Sequence, residues 1–325
     1  MSSRRPFALA TLAIDGAAVP ALVLADVAHD LRPALGAGAT LTGLVHDWDG
    51  AFERLQALAD DPSALTELGP VGDLRPLPPL APFGQVFQAA ANYRRHVLDL
   101  MLAAEQRSDG SDGLTDEQRR TFADEHDAMI RSGRPFVFMG SANAIVGAHD
   151  DVLLPPESTQ PDWELELAAV IGRPGHRVPR ERALELVAGY TICNDLTCRD
   201  LLVRTEARTL PLDWLAAKNS PTFLPTGPLL VPAVHAGDPM DLQIELRLNG
   251  DTMQDERTAD MIFDVATIIE HVSHVAELRP GDLVLTGSPA GNGASHGVFL
   301  KPGDELVGEI TGLGRQRNRC VAAPA

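Results

Sequence analysis

Basic residues are scarce in this chain of 325 residues: 27 Lys and Arg stand against 45 Asp and Glu, a formal charge of −18. That balance excludes nucleic acid as a partner, because phosphates must be neutralised by Lys and Arg. It equally excludes a polybasic attachment to an anionic membrane surface. Much of the acidity serves to keep the surface solvated. Cysteine is scarcer still. Cys193, Cys198 and Cys320 are too few and too irregularly spaced for a disulfide framework, and the first two, in an apolar segment, read as small core residues. No uncharged run approaches the ~20 residues of a membrane-spanning helix. The opening MSSRRPFALATLAIDG carries two arginines, but Asp15 and Gly16 break its apolar stretch, so it reads as a strand and not as a signal peptide. The expectation is a cytoplasmic protein with no membrane or nucleic-acid partner. A nucleotide cradle is missing too. The glycine-rich loop 287–297 has neither Gly-x-Gly-x-x-Gly nor a closing Gly-Lys-Ser/Thr. There is no internal repeat.

What is present is a hydrophobic content of 44%, ample for one large domain with a satellite or for two domains. Residues 6–25 read as two strands around the turn Asp15-Gly16, followed by a helix near 48–60. The proline-rich stretch 74–82 admits neither a regular helix nor a central strand. It separates a small N-terminal α+β unit, 1–80, from a larger unit, 83–322. In the larger unit an apolar strand leads to Asn92, Tyr93 and His96 and then to a helix. The charged segment 98–134, in which Thr115 and Gln118 resemble a capping box, is a candidate helical lid. Strands return over PFVFMG, AIVG, DVLLP and GYTICNDL. A hairpin turns at Asn249-Gly250, a helix spans 261–278, and short strands follow over DLVLTGSP, GVFL, GDELVGEI and RNRCVAA. The expected class is α+β and β-rich.

The chemistry concentrates between Pro161 and Asp200. In PDWELELAAVIG, Glu164 and Glu166 alternate with Trp163, Leu165 and Leu167, the period of a strand, which puts both carboxylates on one face. Two like charges on an apolar ribbon lose hydration and repel, so a positive partner is expected between them. Asp195, in a second apolar segment, can supply a third oxygen. Three carboxylates without a Cys or His cluster suit a hard divalent cation rather than zinc. His271 and His274 are spaced i, i+3 on a helix, but their apolar neighbours mark that helix as a packing element.

Six short motifs occur in order: Asn92-Tyr93-x-x-His96, Asp162-Trp163-Glu164-Leu165-Glu166-Leu167, Gly189-Tyr190 with Asn194-Asp195-Leu196-Thr197-x-Arg199-Asp200, Ala217-Lys218-Asn219-Ser220, Asn249-Gly250 followed by Met261-Ile262-Phe263, and Leu285-Thr286-Gly287-Ser288-Pro289. Together they resemble the fumarylacetoacetate hydrolase family, the acylpyruvase-type C–C hydrolases and their decarboxylase relatives, over residues 83–322. The resemblance implies a mixed β-sheet roll with a small N-terminal domain and a helical lid insertion. It implies a metal centre at Glu164, Glu166 and Asp195, with Mg²⁺ the first expectation and Mn²⁺ or Ca²⁺ the alternatives. It places Lys218 near the metal and His96 as general base. Asp99, at i+3, stands where short-chain members carry Glu, and Glu125 or Asp124 in the insertion are other candidate acids. Tyr93, Arg199, Thr222, Thr286 and Ser288 are the expected substrate contacts, with Arg199 paired either to a substrate carboxylate or to Asp200 or another acid. The implied partner is a small keto acid and the implied assembly a homodimer. The implied activity is hydrolysis of a C–C bond in a 1,3-dicarbonyl acid, in catabolism of aromatic or other small organic acids. In it His96 with Asp99 activates water and Lys218 stabilises the oxyanion. The alternative at the same metal site is decarboxylation or tautomerisation of a 2-oxo acid. A metal-stabilised binding protein would have no use for the base.

Overall fold

A computed structural model describes residues 4–99, 131–206 and 211–324, with the single positions 101, 115, 117, 121, 125, 129 and 209. Most of the 98–134 insertion, including Gln118 and Asp124, lies outside the described residues.

The turn Asp15-Gly16 takes left-handed backbone at both residues, φ +50° and +79°, which suits the twist of a two-residue hairpin. It pairs Ala8–Ile14 with Ala17–Leu24 antiparallel. Val27–Asp30 and Thr66–Pro70 extend this sheet on one side, and Arg75–Leu77 closes the other edge, the position where a strand tolerates Pro76. The helix Trp48–Asp60 buries Trp48, Ala51, Leu55 and Ala59, one stripe at helical spacing. Arg32–Leu35 and Leu41–His46 are short helices around the Gly36–Gly38 stretch. They were not predicted, because so few turns carry no periodic signal.

The N-terminal unit is packed onto the rest. Leu9, Leu22, Trp48 and Leu55 share one buried cluster with Ala168, Val170, Leu283 and Leu285. Leu9 and Leu230 exchange backbone hydrogen bonds of 2.9 and 2.8 Å.

The larger unit is built on two sheets. The first runs, from one edge, Phe136–Gly140, Val86–Ala90, Leu283–Leu285, Leu165–Ile171, Val187–Asn194, Leu224–Thr226 and Ile145–Gly147, with Val231–Pro232 also paired to Val187–Asn194. Its middle strands Leu165–Ile171 and Val187–Asn194 are buried at every residue, hence their unbroken apolar runs. The second sheet runs Asp251–Arg257, Gln243–Leu248, Glu305–Ile310, Gly314–Ala322 and Val152–Leu154. Gln243–Leu248 and Glu305–Ile310 alternate between buried and partly exposed positions. Their buried faces close on the first sheet, where Ile244, Leu246, Leu306 and Ile310 join Leu165 and Leu167 in one core. Gly308 lies so close to Leu165 that a Cβ there would meet its side chain at 2.6 Å. This is the β-rich α+β roll that the sequence predicts.

Three boundaries differ from expectation. The predicted helix 261–278 is Val265–Val275, because Asp264 caps it, accepting from Thr267 N at 2.8 Å, while Ile262 N donates to Asn92 O at 2.8 Å. The predicted strand over GVFL is absent. A short helix Gly293–His296 ends at left-handed Gly297, and Leu300 N makes a single bond to Pro161 O. Glu164 precedes the strand Leu165–Ile171, in a break after Pro161–Asp162. Among the described residues no helix is long and apolar enough to cross a membrane.

Candidate metal centre and active site

Strand register assembles the acidic cluster. Leu165 pairs with Asn194 and Glu166 with Cys193 across the antiparallel ladder. The next step outward sets Glu164 opposite Asp195, and Asp195 N donates to Glu164 O at 2.8 Å. Opposed residues of an antiparallel pair project to one side, and Glu166 lies two residues from Glu164. The ligand oxygens of Glu164, Glu166 and Asp195 all fall within 4.8 Å of one another, the only such group among the described residues. His271 and His274 form no such group, and His274 Nδ1 faces Glu270 O at 2.8 Å.

Cations and amides hold the carboxylates apart. Lys218, the last residue of the helix Trp214–Lys218, is 2% exposed and donates to Glu164 Oε2 at 2.6 Å, Asp195 Oδ2 at 2.8 Å and Asp195 O at 2.9 Å. Arg199 donates through Nε to Asp162 Oδ2 at 2.8 Å and through Nη2 to Glu164 Oε1. Asp200, the other partner considered for it, accepts instead from Ser158 and Thr159. Gln88 Nε2 donates to Asp195 Oδ1 at 2.5 Å, and Gly287 N to Glu166 Oε2 at 2.7 Å. Asp162 accepts from Trp163 N, Gly293 N and Ala294 N at 2.7, 2.6 and 3.0 Å. The glycine-rich loop is thus tied by its backbone to two of the acids.

Burial raises the carboxyl affinities for protons, and the cations decide which group escapes. For Glu164 the charges of Arg199 and Lys218 overcome burial and hold the carboxyl down at about 2. Asp195 is pushed up to about 6, burial outweighing Lys218. Glu166 is pushed well up by burial and by the charges of Asp195 and Glu164. Lys218 stays above its ordinary value despite burial, because Asp195 and Glu164 face it. Four acids, Asp162, Glu164, Glu166 and Asp195, therefore meet two cations, Arg199 and Lys218, in a largely buried cluster. The deficit of two positive charges and the all-oxygen donor set fit one hard divalent cation.

A cavity of about 390 Å³ opens onto this cluster. His96 and Asp99, in the helical residues 94–99, both line it. Asn92 fixes the start of that helix, donating to Thr286 O and Phe263 O at 2.7 and 3.0 Å and accepting from Phe263 N at 2.9 Å. Burial lowers the His96 pKa, with Arg199 adding to the shift and Glu164 opposing it, which favours the neutral imidazole. Ser288 also lines the cavity and accepts from Gln254 Nε2 at 2.8 Å.

Three expected substrate contacts are not in the cavity lining. Tyr93 is fully buried in the core beneath it. Thr286 donates to Leu167 O at 2.9 Å. Thr222, at φ +71°, accepts from Leu153 N at 2.7 Å. The two threonine hydroxyls are thus held by backbone groups of the scaffold. Glu125 is exposed and outside the lining. Conversely Gln88, Phe138, Leu202, Trp214 and Asn292 were missed. Only rarity could have strengthened the prediction for Lys218, one of two lysines in the chain.

The family model for the fumarylacetoacetate (FAA) hydrolase C-terminal domain matches residues 85–321. The chain belongs to the fumarylacetoacetate hydrolase family. Over 189 residues, 58% of this chain, it is 41% identical to the mitochondrial oxaloacetate tautomerase FAHD2B of Homo sapiens, covering 59% of that protein. Over 188 residues, 57% of this chain, it is 40% identical to the 2,4-didehydro-3-deoxy-L-rhamnonate hydrolase of Sphingomonas sp. strain SKA58, covering 64% of it. The matches thus span less than two thirds of these curated relatives. The solved fumarylacetoacetate hydrolase of psychrophilic Exiguobacterium antarcticum is similar at TM-score 0.76 and 28% identity, over 98% of this chain and 100% of that one. Relatives in the family are enzymes, named as tautomerases, isomerases and hydrolases.

Proposed function

We propose that this protein hydrolyses a C–C bond of a small 1,3-dicarbonyl acid with the help of a divalent cation. The observation that carries the reading is that His96 and Asp99 line the same cavity as Glu164, Asp195 and Lys218. A cation held by Glu164, Glu166 and Asp195 would supply Lewis-acid polarisation of the keto-acid oxygens. The rest falls to the chain. Arg199 and Lys218 keep Glu164 ionised. Neutral His96 accepts the proton of a water while Asp99, one helical turn on, orients the ring. Glu164 and Asp195 engage all three N–H groups of Lys218, so it acts on the negative charge that builds on the attacked carbonyl oxygen through the field of its buried ammonium. Hydroxide adds to the distal acyl carbon, the C–C bond breaks, and the proton held by His96 goes to the carbon that leaves with the pyruvyl fragment. Mg²⁺ as the native ion and a homodimer as the assembly belong to the same proposal.

The 41% identity to a protein named as an oxaloacetate tautomerase favours a second reading, in which a 2-oxo acid tautomerises or loses CO₂ and no water attacks. A screen of acylpyruvates and oxaloacetate with Mg²⁺ or Mn²⁺, following loss of enol absorbance and release of CO₂, separates the two. His96→Ala should lower acylpyruvate hydrolysis by about 100-fold or more. If hydrolysis in that variant stays near wild type, His96 is not the base. If the wild type turns over only oxaloacetate, the second reading replaces the first.

A further inference from the structure

The cavity lining is of two kinds. One is polar: the carboxylates and their cations, with Ser288, Asn292 and Ser295. The other is apolar and includes Ala90, Phe138, Leu202 and Trp214. Phe138 and Trp214 are stacked, with ring centroids 4.6 Å apart and planes 25° apart. Phe136 also contacts Trp214, with ring centroids 5.6 Å apart. Lys218 Nζ lies 5.9 Å from the Phe138 centroid, so the aromatic face begins where the charged cluster ends. Among the described lining residues the cationic side chains are Arg199 and Lys218, apart from His96, and both already bridge carboxylates. A second substrate carboxylate, laid against the Phe138–Trp214 pair, would lose hydration with no cation to meet it. An aryl group in the same place gains offset stacking.

We propose that the acyl end of the substrate is apolar, an aromatic or branched hydrocarbon group seated on Phe138 and Trp214, and that dicarboxylates of similar length are disfavoured. The inference rests on the reading of this cavity as the substrate site and names the substrate class it takes.

The test compares benzoylpyruvate with fumarylpyruvate, a dicarboxylate of comparable length, on the Mn²⁺-loaded full chain. The wild type should favour benzoylpyruvate by at least about tenfold in kcat/KM, within the range that one misfitted group produces in a pocket. Trp214→Ala should shrink that ratio by roughly tenfold. Leu202→Arg, which supplies the missing cation at a half-buried position, should move the preference toward fumarylpyruvate. If neither compound is cleaved, Kd values from titration calorimetry replace kcat/KM: the hydrolytic reading then fails while the order of affinities still decides this one. Equal or better use of fumarylpyruvate by the wild type overturns the inference. So does a ratio that neither variant changes.

Discussion

Asp195 and Glu166 carry the sharpest consequence of a buried acidic cluster. In the metal-free protein Asp195 is pushed up to about 6 and Glu166 well above the ordinary range. A carboxyl whose folded value is raised binds protons more readily in the folded state. Its contribution to stability is therefore full below its unfolded value near 4 and is lost as pH rises through the folded value. Between roughly pH 4 and 6 these two groups should lower the stability of the metal-free chain as pH increases. A divalent cation reverses that loss, since it needs both carboxylates ionised. Thermal melts with and without Mn²⁺ should show a larger rise in Tm at pH 8 than at pH 5. An equal rise at both would mean that the ion binds elsewhere. The residues involved were legible in the sequence because charge inside an apolar run is conspicuous. Phe138 and Trp214 were not, because an aromatic ring in an apolar setting looks the same whether it faces a core or a cavity. Tyr93, Thr222 and Thr286 show the opposite ambiguity: their motifs are present, but the structure sets these side chains outside the cavity lining.

At the scale of elements, spacing anticipated the Glu-x-Glu segment only in part. It put Glu164 inside a strand, whereas the chain pairs properly from Leu165 onward. The clustering depends on the antiparallel register with Val187–Asn194, which no local pattern encodes. The same holds for the N-terminal unit. Proline at 76, 78, 79 and 82 signals a change of structure, but not whether the pieces on either side touch. They do, through Leu9, Leu22 and Trp48 against Val170, Leu283 and Leu285. Leu9→Ala should thus cost about 2–5 kcal/mol and destabilise the whole molecule. Trp48 reports on the N-terminal unit, and Trp163 and Trp214 on the larger one. Urea transitions followed by tryptophan fluorescence and by far-UV circular dichroism should coincide and shift together in the variant. Two separate transitions, with only the earlier one moved, would show that residues 1–80 unfold independently.

The charge of the whole molecule acts on the proposed reaction in two opposite directions. Surface arginines such as Arg54, Arg257 and Arg279 are paired with Asp47, Asp241 and Glu277, and the chain as a whole keeps a formal excess of −18. Such a field concentrates divalent cations near the protein and repels an anionic keto acid. Its reach is set by salt: about 30 Å at 0.01 M ionic strength and about 8 Å at 0.15 M. Raising the salt across that interval should weaken binding of the metal by several-fold. With the metal kept saturating, the same change should raise kcat/KM for an acylpyruvate by about two- to threefold, through KM, because the encounter is less repelled. The value of kcat should hardly move, since the buried pairs around Glu164 and Asp195 are screened far less than surface charges. Titration calorimetry with Mn²⁺ and initial rates at saturating Mn²⁺, each at both salt concentrations, read the two effects separately. If kcat/KM falls with salt, local cations at the mouth of the cavity govern capture of the substrate. The net charge then does no more than keep the surface solvated.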